Sequence, residues 1–310
     1  MDEMLTLNVI VPAAITDSMF TSSTAPETDY LAWNSGTTYA AGDRVIVVAT
    51  HKIYESAQGG NLNKAPFDVV NRVGTPPWWF EVGPTNKWAM FDGLIGTKTT
   101  IATPLTVVLR PGFINAIYLA GLSAENINVS IKDAPGGTVV YSYSASLENS
   151  LPPDYFEHFF MPFSQQSDIA LRNIPPYYNA EVTITLSSVS GNVSCGLLTM
   201  GDMRPIGMTE WGGEAQPKTY SRLSEDIFGS PKIIQRPSGK NMRLTAEVAL
   251  VDADFVEETV RKLQDVPAAW IGVDLMNFAG LRVFGLGSGS LIYQNAKFCQ
   301  LNLIVKGFAQ

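Results

Sequence analysis

Cysteine and histidine are scarce, with two of each in 310 residues. Cys195 and Cys299 stand far apart in strand-like apolar runs, where a free thiol behaves as a small hydrophobe. A disulfide-built scaffold is therefore not expected. His51 and His158 sit at no ligand spacing, which argues against a structural zinc site, and no other metal or cofactor is expected. Charge is scarce as well: Asp, Glu, Lys and Arg together make 16% of the chain, and the formal net charge is -8. Neither Lys nor Arg gathers into a run, so nucleic acid and anionic membrane surfaces are not expected partners. Nowhere do about eighteen apolar residues run together, which excludes a helix inserted across a bilayer. The opening Met1-Asp2-Glu3-Met4 is acidic where a signal peptide needs positive charge, so synthesis and assembly in a cytoplasm are expected.

What the chain does contain is turn and strand material. It is 45% hydrophobic, with 26 Gly and 19 Pro, and reads as mainly β. Three zones can be separated by composition. Residues 1–84 hold three of the six tryptophans, Trp33, Trp78 and Trp79, and read as a small β module. Residues 85–201 read as successive short strands at Thr106 to Leu109, Phe113 to Leu119, Ile127 to Lys132, Thr138 to Tyr143, Glu181 to Leu186 and Val193 to Thr199. Turns such as Arg110-Pro111-Gly112 and Ala134-Pro135-Gly136-Gly137 separate them, and the spacing predicts a β-sandwich.

Residues 202–310 predict an α+β domain. Strands are expected at Met242 to Val251, Ala269 to Val273, Arg282 to Gly285 and Phe298 to Val305, around one amphipathic helix. Phe255, Val256, Val260 and Leu263 fall on one face of that helix, with Glu257, Glu258, Arg261 and Lys262 on the other. Asp254 is the expected N-cap, paired with Glu257 three residues later. The segment 207–239, with Trp211-Gly212-Gly213, Pro217, Gly229, Pro231 and Pro237, shows little periodicity and reads as an extended arm that reaches a neighbouring subunit or an adjoining tail protein, with a mobile surface loop as the alternative.

The stretch Leu31 to Val45, LAWNSGTTYAAGDRV, followed by His51-Lys52-Ile53-Tyr54-Glu55, resembles the chitin-binding type carbohydrate-binding modules of families 5 and 12. The family's pattern of W, Y, G-D-x-V, Y and a closing W maps onto Trp33, Tyr39, Gly42-Asp43-Arg44-Val45, Tyr54 and Trp79, over about 55 of the 310 residues. The resemblance implies a glycan contact through Trp33, Tyr39, Tyr54, Trp78 and Trp79. Sugars present C–H faces to aromatic rings, so a flat aromatic strip beside amides is the usual chemistry of a glycan platform. The same five rings can equally form the core of so small a domain. The run Asn86-Lys87-Trp88-Ala89-Met90-Phe91-Asp92-Gly93 resembles bacteriophage structural proteins as a class, as do Asp226-Ile227-Phe228-Gly229 and Trp270-Ile271-Gly272.

Catalytic chemistry has little to stand on. Glycoside hydrolysis needs two carboxylates across a cleft, and neither Glu210 with Glu214 nor Asp154 with Glu157 lies in a motif that sets such geometry. No Gly-x-Ser-x-Gly elbow precedes a helix, so no nucleophilic triad is expected around His51 or His158. Gly285-Leu286-Gly287-Ser288-Gly289-Ser290 lacks the lysine and the following helix of a phosphate loop, and reads as a glycine-rich strand connection. Asp252 and Asp254 make only half of a calcium loop. The expectation is a non-enzymatic virion protein of a phage tail or baseplate, a homo-oligomer contacting other virion tail proteins and, through its module, a host cell-surface glycan. A soluble carbohydrate-binding protein, or a glycan-degrading enzyme with an accessory module, are the alternatives.

Overall fold

Alternation of apolar and polar residues builds the centre of the molecule. In the computed structural model, which describes residues 5–148, 165–225, 230–273 and 278–309, the chain is mainly β, as its composition implies. Leu105–Leu109, Asn126–Lys132 and Glu181–Ser187 bury every second side chain. That period of two is the mark of strands covered on one face. They form a five-stranded antiparallel sheet in the order Val139–Ser146, Asn126–Lys132, Glu181–Ser187, Leu105–Leu109, Phe20–Ser23. Val107, Val129 and Ile184 from this sheet meet Ile117, Leu119, Leu198 and Met200 from a second sheet in one core. The result is the expected β-sandwich.

Ala116–Ala120 breaks the alternation because it is buried on both sides. Ile117 and Leu119 face the sandwich core, while Ala116, Tyr118 and Ala120 face a second core with Ile10, Ile271 and Phe284. Its sheet has nine strands, in the order Asp168–Leu171, Ala116–Ala120, Leu197–Thr209, Thr6–Pro12, Ala268–Ile271, Arg282–Tyr293, Phe298–Gly307, Ser238–Ala249, Glu214–Thr219. Leu197–Thr209 also pairs with Ser238–Ala249 at Met208 opposite Glu247 and Thr209 opposite Ala246. This closes the six strands from Leu197–Thr209 round to Ser238–Ala249 into a barrel, which removes their free edges.

The helix Ala253–Lys262 buries Ala253, Val256 and Val260 in the barrel core beside Val248, Trp270 and Leu301. Its start differs from the expectation. The N-cap position is Asp252, with no side-chain cap bond, and Asp254 lies inside the first turn. Phe255, expected on the buried face, is exposed. The Gly285 to Ser290 run lies within the strand Arg282–Tyr293 rather than in a connection. A Cβ on Gly287 would stand 2.2 Å from Cζ2 of Trp270, so glycine at that position makes room for the indole.

The compositional zones do not coincide with these sheets. Thr6–Pro12 runs antiparallel to residues 201–208, so the barrel is begun by the first described strand and resumed about 190 residues later. The boundary placed at 201/202 falls inside Leu197–Thr209. The sandwich and the small aromatic module are thus inserted within the barrel, and only residues from about 30 to 84 of the first zone belong to the module's own sheets.

A buried ion cluster joins sandwich to barrel. Asp168, on the outer strand of the nine, has Lys240 Nζ at 3.6 Å and Arg282 Nε at 3.5 Å, both from barrel strands. Burial lowers the Lys240 ammonium below its usual range, against the opposing pull of Asp168. The Tyr118 phenol, fully buried, is pushed well above its usual range, first by desolvation and then by the Asp168 charge.

Candidate functional site

The module begins at a turn that its sequence dictates. Gly42 takes φ +88°, which favours glycine, and its N–H donates to the Ser56 carbonyl at 2.8 Å. The Asp43 carboxylate accepts from the Ala40 N–H at 2.7 Å, closing the turn. Arg44–Val47, Lys52–Ser56 and Trp79–Pro84 then form a three-stranded antiparallel sheet, and Thr38–Tyr39 pairs with Asn61–Leu62 beside it.

The five candidate rings divide. Tyr39, Tyr54 and Trp79 are core: Tyr54 is 1% exposed and Trp79 not at all, packed with Val45 and Val47. Tyr39 meets Trp79 at a ring distance of 5.2 Å, and its hydroxyl accepts from the Asn34 N–H at 2.8 Å. Trp79 Nε1 donates to the Lys64 carbonyl at 2.7 Å. The reading of these three as a glycan platform is therefore corrected. So small a module has little aliphatic volume, and aromatic rings supply its core.

Trp33 and Trp78 pack on the edge of that core and remain partly exposed. Trp33 meets Phe67 edge-on, with ring centroids 5.7 Å apart and planes at 87°. Lys64 Nζ lies 5.5 Å from the centre of the Trp78 ring. The segment from Asn63 to Trp78 that carries Phe67 is held by its own bonds. Asn71 Nδ2 donates to the Ala65 carbonyl at 2.9 Å, and the Trp78 N–H donates to the Asn71 carbonyl at 2.9 Å. It nevertheless leaves apolar surface in water: Phe67 is 48% exposed, Val70 73% and Val73 70%. Sequence reasoning missed Phe67 and Lys64, because they stand outside the W, Y, G-D-x-V pattern. The signal available was apolar residues in a Pro- and Asn-rich connection that has no strand period.

Partly exposed indoles next to an ammonium offer a stacking face and a donor for hydroxyls. Arg72, close by, bonds Glu81 at 3.2 Å.

His51 ties the module to the rest of the chain. It ends the short helical turn Val48–Thr50 at φ 54°, its Nδ1 is 2.8 Å from Glu27 Oε1 and its Nε2 is 2.9 Å from Asp17 Oδ1. Its ring stacks on Trp88, and Thr85 Oγ1 donates to Glu27 at 3.0 Å. Both ring nitrogens are thus engaged by structural carboxylates.

Glu210 Oε2 accepts from Gln300 at 3.1 Å, and Glu214 is exposed with Gln216 donating to it at 2.9 Å. Asp154, Glu157 and His158 lie outside the described residues. Among the described residues, no three His, Cys, Asp or Glu side chains gather where a metal ion could be held. Cys195 and Cys299 are free and buried, and burial pushes the Cys195 thiol up to about 12.

Of the segment 207–239, residues 207–209 end the barrel strand Leu197–Thr209 and Glu214–Thr219 extends the nine-stranded sheet. Glu214–Thr219 pairs with residues 238–243, and beyond it Arg222–Glu225 pairs, among the described residues, only with Pro231–Ile234 in a two-stranded ribbon. Every residue of Glu214–Thr219 and Pro231–Ile234 is exposed. Residues 226–229, which include the Asp226 to Gly229 motif, lie outside the described residues. Trp211, at the foot of the arm, is 83% exposed.

No protein-family model matches the sequence, and no curated protein matches it. Among solved structures the chain is similar to the F5/8 type C domain of a Bacteroides fragilis protein. The likeness has 15% sequence identity, covers 38% of this chain and 80% of that one, and has a TM-score of 0.23. At that score it carries no argument about ligand or activity.

Proposed function

We propose that this chain is a non-enzymatic structural subunit of a bacteriophage tail or baseplate, self-assembling through its barrel and arm and carrying a module for host-surface glycan. The observation that carries the reading is the ribbon Arg222–Glu225 with Pro231–Ile234, which among the described residues pairs with nothing but itself and has both outer edges open. An isolated two-stranded ribbon is marginal in water, so one that projects exposed Leu223, Ile233 and Ile234 is built to be covered. Insertion of sandwich and module within the barrel fits an assembly domain that displays accessory domains outward. Resemblance of the Asn86 to Gly93 run to phage structural proteins supplies the setting.

Replacing Ser221–Arg236 with an Asn-Gly turn should leave thermal melting nearly unchanged while light scattering shows a smaller assembly. Antibody raised against the chain should decorate one end of tailed particles in the electron microscope. Recovery of the chain only free of particles, as a monomer, would overturn the reading. The alternative, a soluble carbohydrate-binding protein, is favoured by the Trp33, Phe67 and Trp78 surface alone, and that outcome would leave it standing.

A further inference from the structure

We propose that the ribbon of one copy docks on the outer surface of the helix Ala253–Lys262 of a second copy; this rests on the self-assembly reading above. Leu223 and Ile233 are a cross-strand pair, so both point to one face of the ribbon, and they are 65% and 66% exposed. From Gln216 to Arg236 the sequence carries four basic and two acidic residues, in a chain whose net charge is -8. None of the four cations, Lys218, Arg222, Lys232 and Arg236, forms an ion pair among the described residues. The ribbon is therefore an apolar pair flanked by unmatched positive charge, held at its foot by Tyr220, whose hydroxyl donates to the Gly307 carbonyl at 3.2 Å.

The helix surface has the converse character. Val251 is 88% exposed and Phe255 45%, with Val266 exposed at the far end. Around them, Leu250 to Val266 carries five acidic and two basic residues. The two basic residues are already matched, Arg261 to Glu257 and Lys262 to Glu258, one turn apart, which leaves Asp252, Asp254 and Asp265 unmatched. Arg204 lies over the Phe255 ring, but it is held by Asp202 at 2.8 Å. The module's apolar segment, Asn63 to Trp78, is no rival partner for the ribbon, because it carries two basic residues and one acidic. Charge thus selects the helix surface.

Within one copy the two surfaces do not meet, since both are exposed. One chain carrying both halves of a contact makes a head-to-tail interface, which closes into a ring or runs on as a filament. The test uses the full chain. Arg222→Glu with Lys232→Glu should reduce the wild-type assembly to monomer in light scattering. So should Asp254→Lys with Asp265→Lys, or Val251→Lys with Asp265→Lys should the first pair lower the melting temperature. A 1:1 mixture of the ribbon variant and the helix variant sets each unaltered ribbon on an unaltered helix and each reversed ribbon on a reversed helix, so it should assemble again beyond a dimer. All four reversals in one chain should restore assembly. If the wild type assembles and both variants keep its mass, or if the mixture stays monomeric, this pairing of surfaces is wrong and self-assembly stands. A wild-type monomer at high concentration overturns both.

Discussion

His51 stacks on Trp88 with ring centroids 4.1 Å apart and planes 19° from parallel, while each of its nitrogens meets a carboxylate. Carboxylates only accept, so both contacts are hydrogen bonds when both ring nitrogens carry protons. This one side chain links the module, where His51 lies, to Asp17 and Glu27 before it and to Trp88 after it. Replacing it with alanine leaves the buried Glu27 carboxylate short of a partner and should cost about 1–3 kcal/mol. His51→Gln, keeping one donor, should cost less. Limited proteolysis should cut His51→Ala faster than wild type near residues 24–30 and 84–88. Equal cutting rates would show that the module is anchored elsewhere.

The two groups of rings in the module should respond differently. Trp79 has no exposed surface and bonds the Lys64 carbonyl, so Trp79→Ala should unfold the module, at a cost of about 3–5 kcal/mol. Trp33, Phe67 and Trp78 are partly exposed, and alanine at each should leave folding largely intact while weakening retention on polymeric glycan. Retention of the triple variant at wild-type strength would remove glycan binding from this surface.

Much of this architecture is readable along the chain, and the exceptions have physical causes. Glu181–Ser187 and Asn126–Lys132 announce themselves because one face is wet and the other dry. The helix Ala253–Lys262 does so through Val256 and Val260. The pairing that begins the barrel leaves no such trace, because Val9 and Arg204 lie about 190 residues apart and nothing local to either strand encodes their contact. Rings in a small module are ambiguous in kind: Tyr54 and Trp33 satisfy the same motif, yet one is core and the other is edge. The ribbon Arg222–Glu225 with Pro231–Ile234 shows only as a lack of period, since a ribbon with no dry face has no alternation to show.

Asp168 should be worth more to stability than any surface pair. It lies between Lys240 and Arg282 with its side chain 6% exposed. Asp168→Asn keeps the shape but leaves two largely buried cations facing each other, and should cost about 3–5 kcal/mol. Since the cluster spans sandwich and barrel, denaturant unfolding followed by Trp fluorescence should lose cooperativity along with midpoint. A variant with an unchanged midpoint would mean that water already screens the cluster.

Cys195 should be inert while the chain is folded. Its thiol, pushed up to about 12 by burial, stays protonated far above the usual thiol range of about 8.5. A group raised in this way contributes stability fully below its unfolded value and loses it as pH climbs through the folded one. That contribution should therefore decline between about pH 8.5 and pH 12. At pH 8 a thiol reagent should label neither buried cysteine in the native chain and both in denaturant. Rapid native labelling would reveal opening of the sandwich core.

Trp270 and Gly287 form a close packing contact in the barrel. The indole is wholly buried, its Nε1 donates to the Gly285 carbonyl at 3.2 Å, and its six-membered ring fills the space in which a Cβ on residue 287 would stand. Gly287→Ala leaves the backbone conformation untroubled, since residue 287 lies in an ordinary strand, so its whole effect should come from that clash. An overpacked core of this kind typically costs ~1–3 kcal/mol. Trp270→Phe opens the same space from the other side and is itself destabilising, through a cavity and the lost Nε1 bond. If the clash is the cause, adding Gly287→Ala to Trp270→Phe should cost much less than adding it to wild type, because the new methyl then occupies the vacated volume. A double-mutant cycle by urea denaturation measures the difference directly. Strict additivity would mean that Gly287 is required by the strand rather than by the tryptophan.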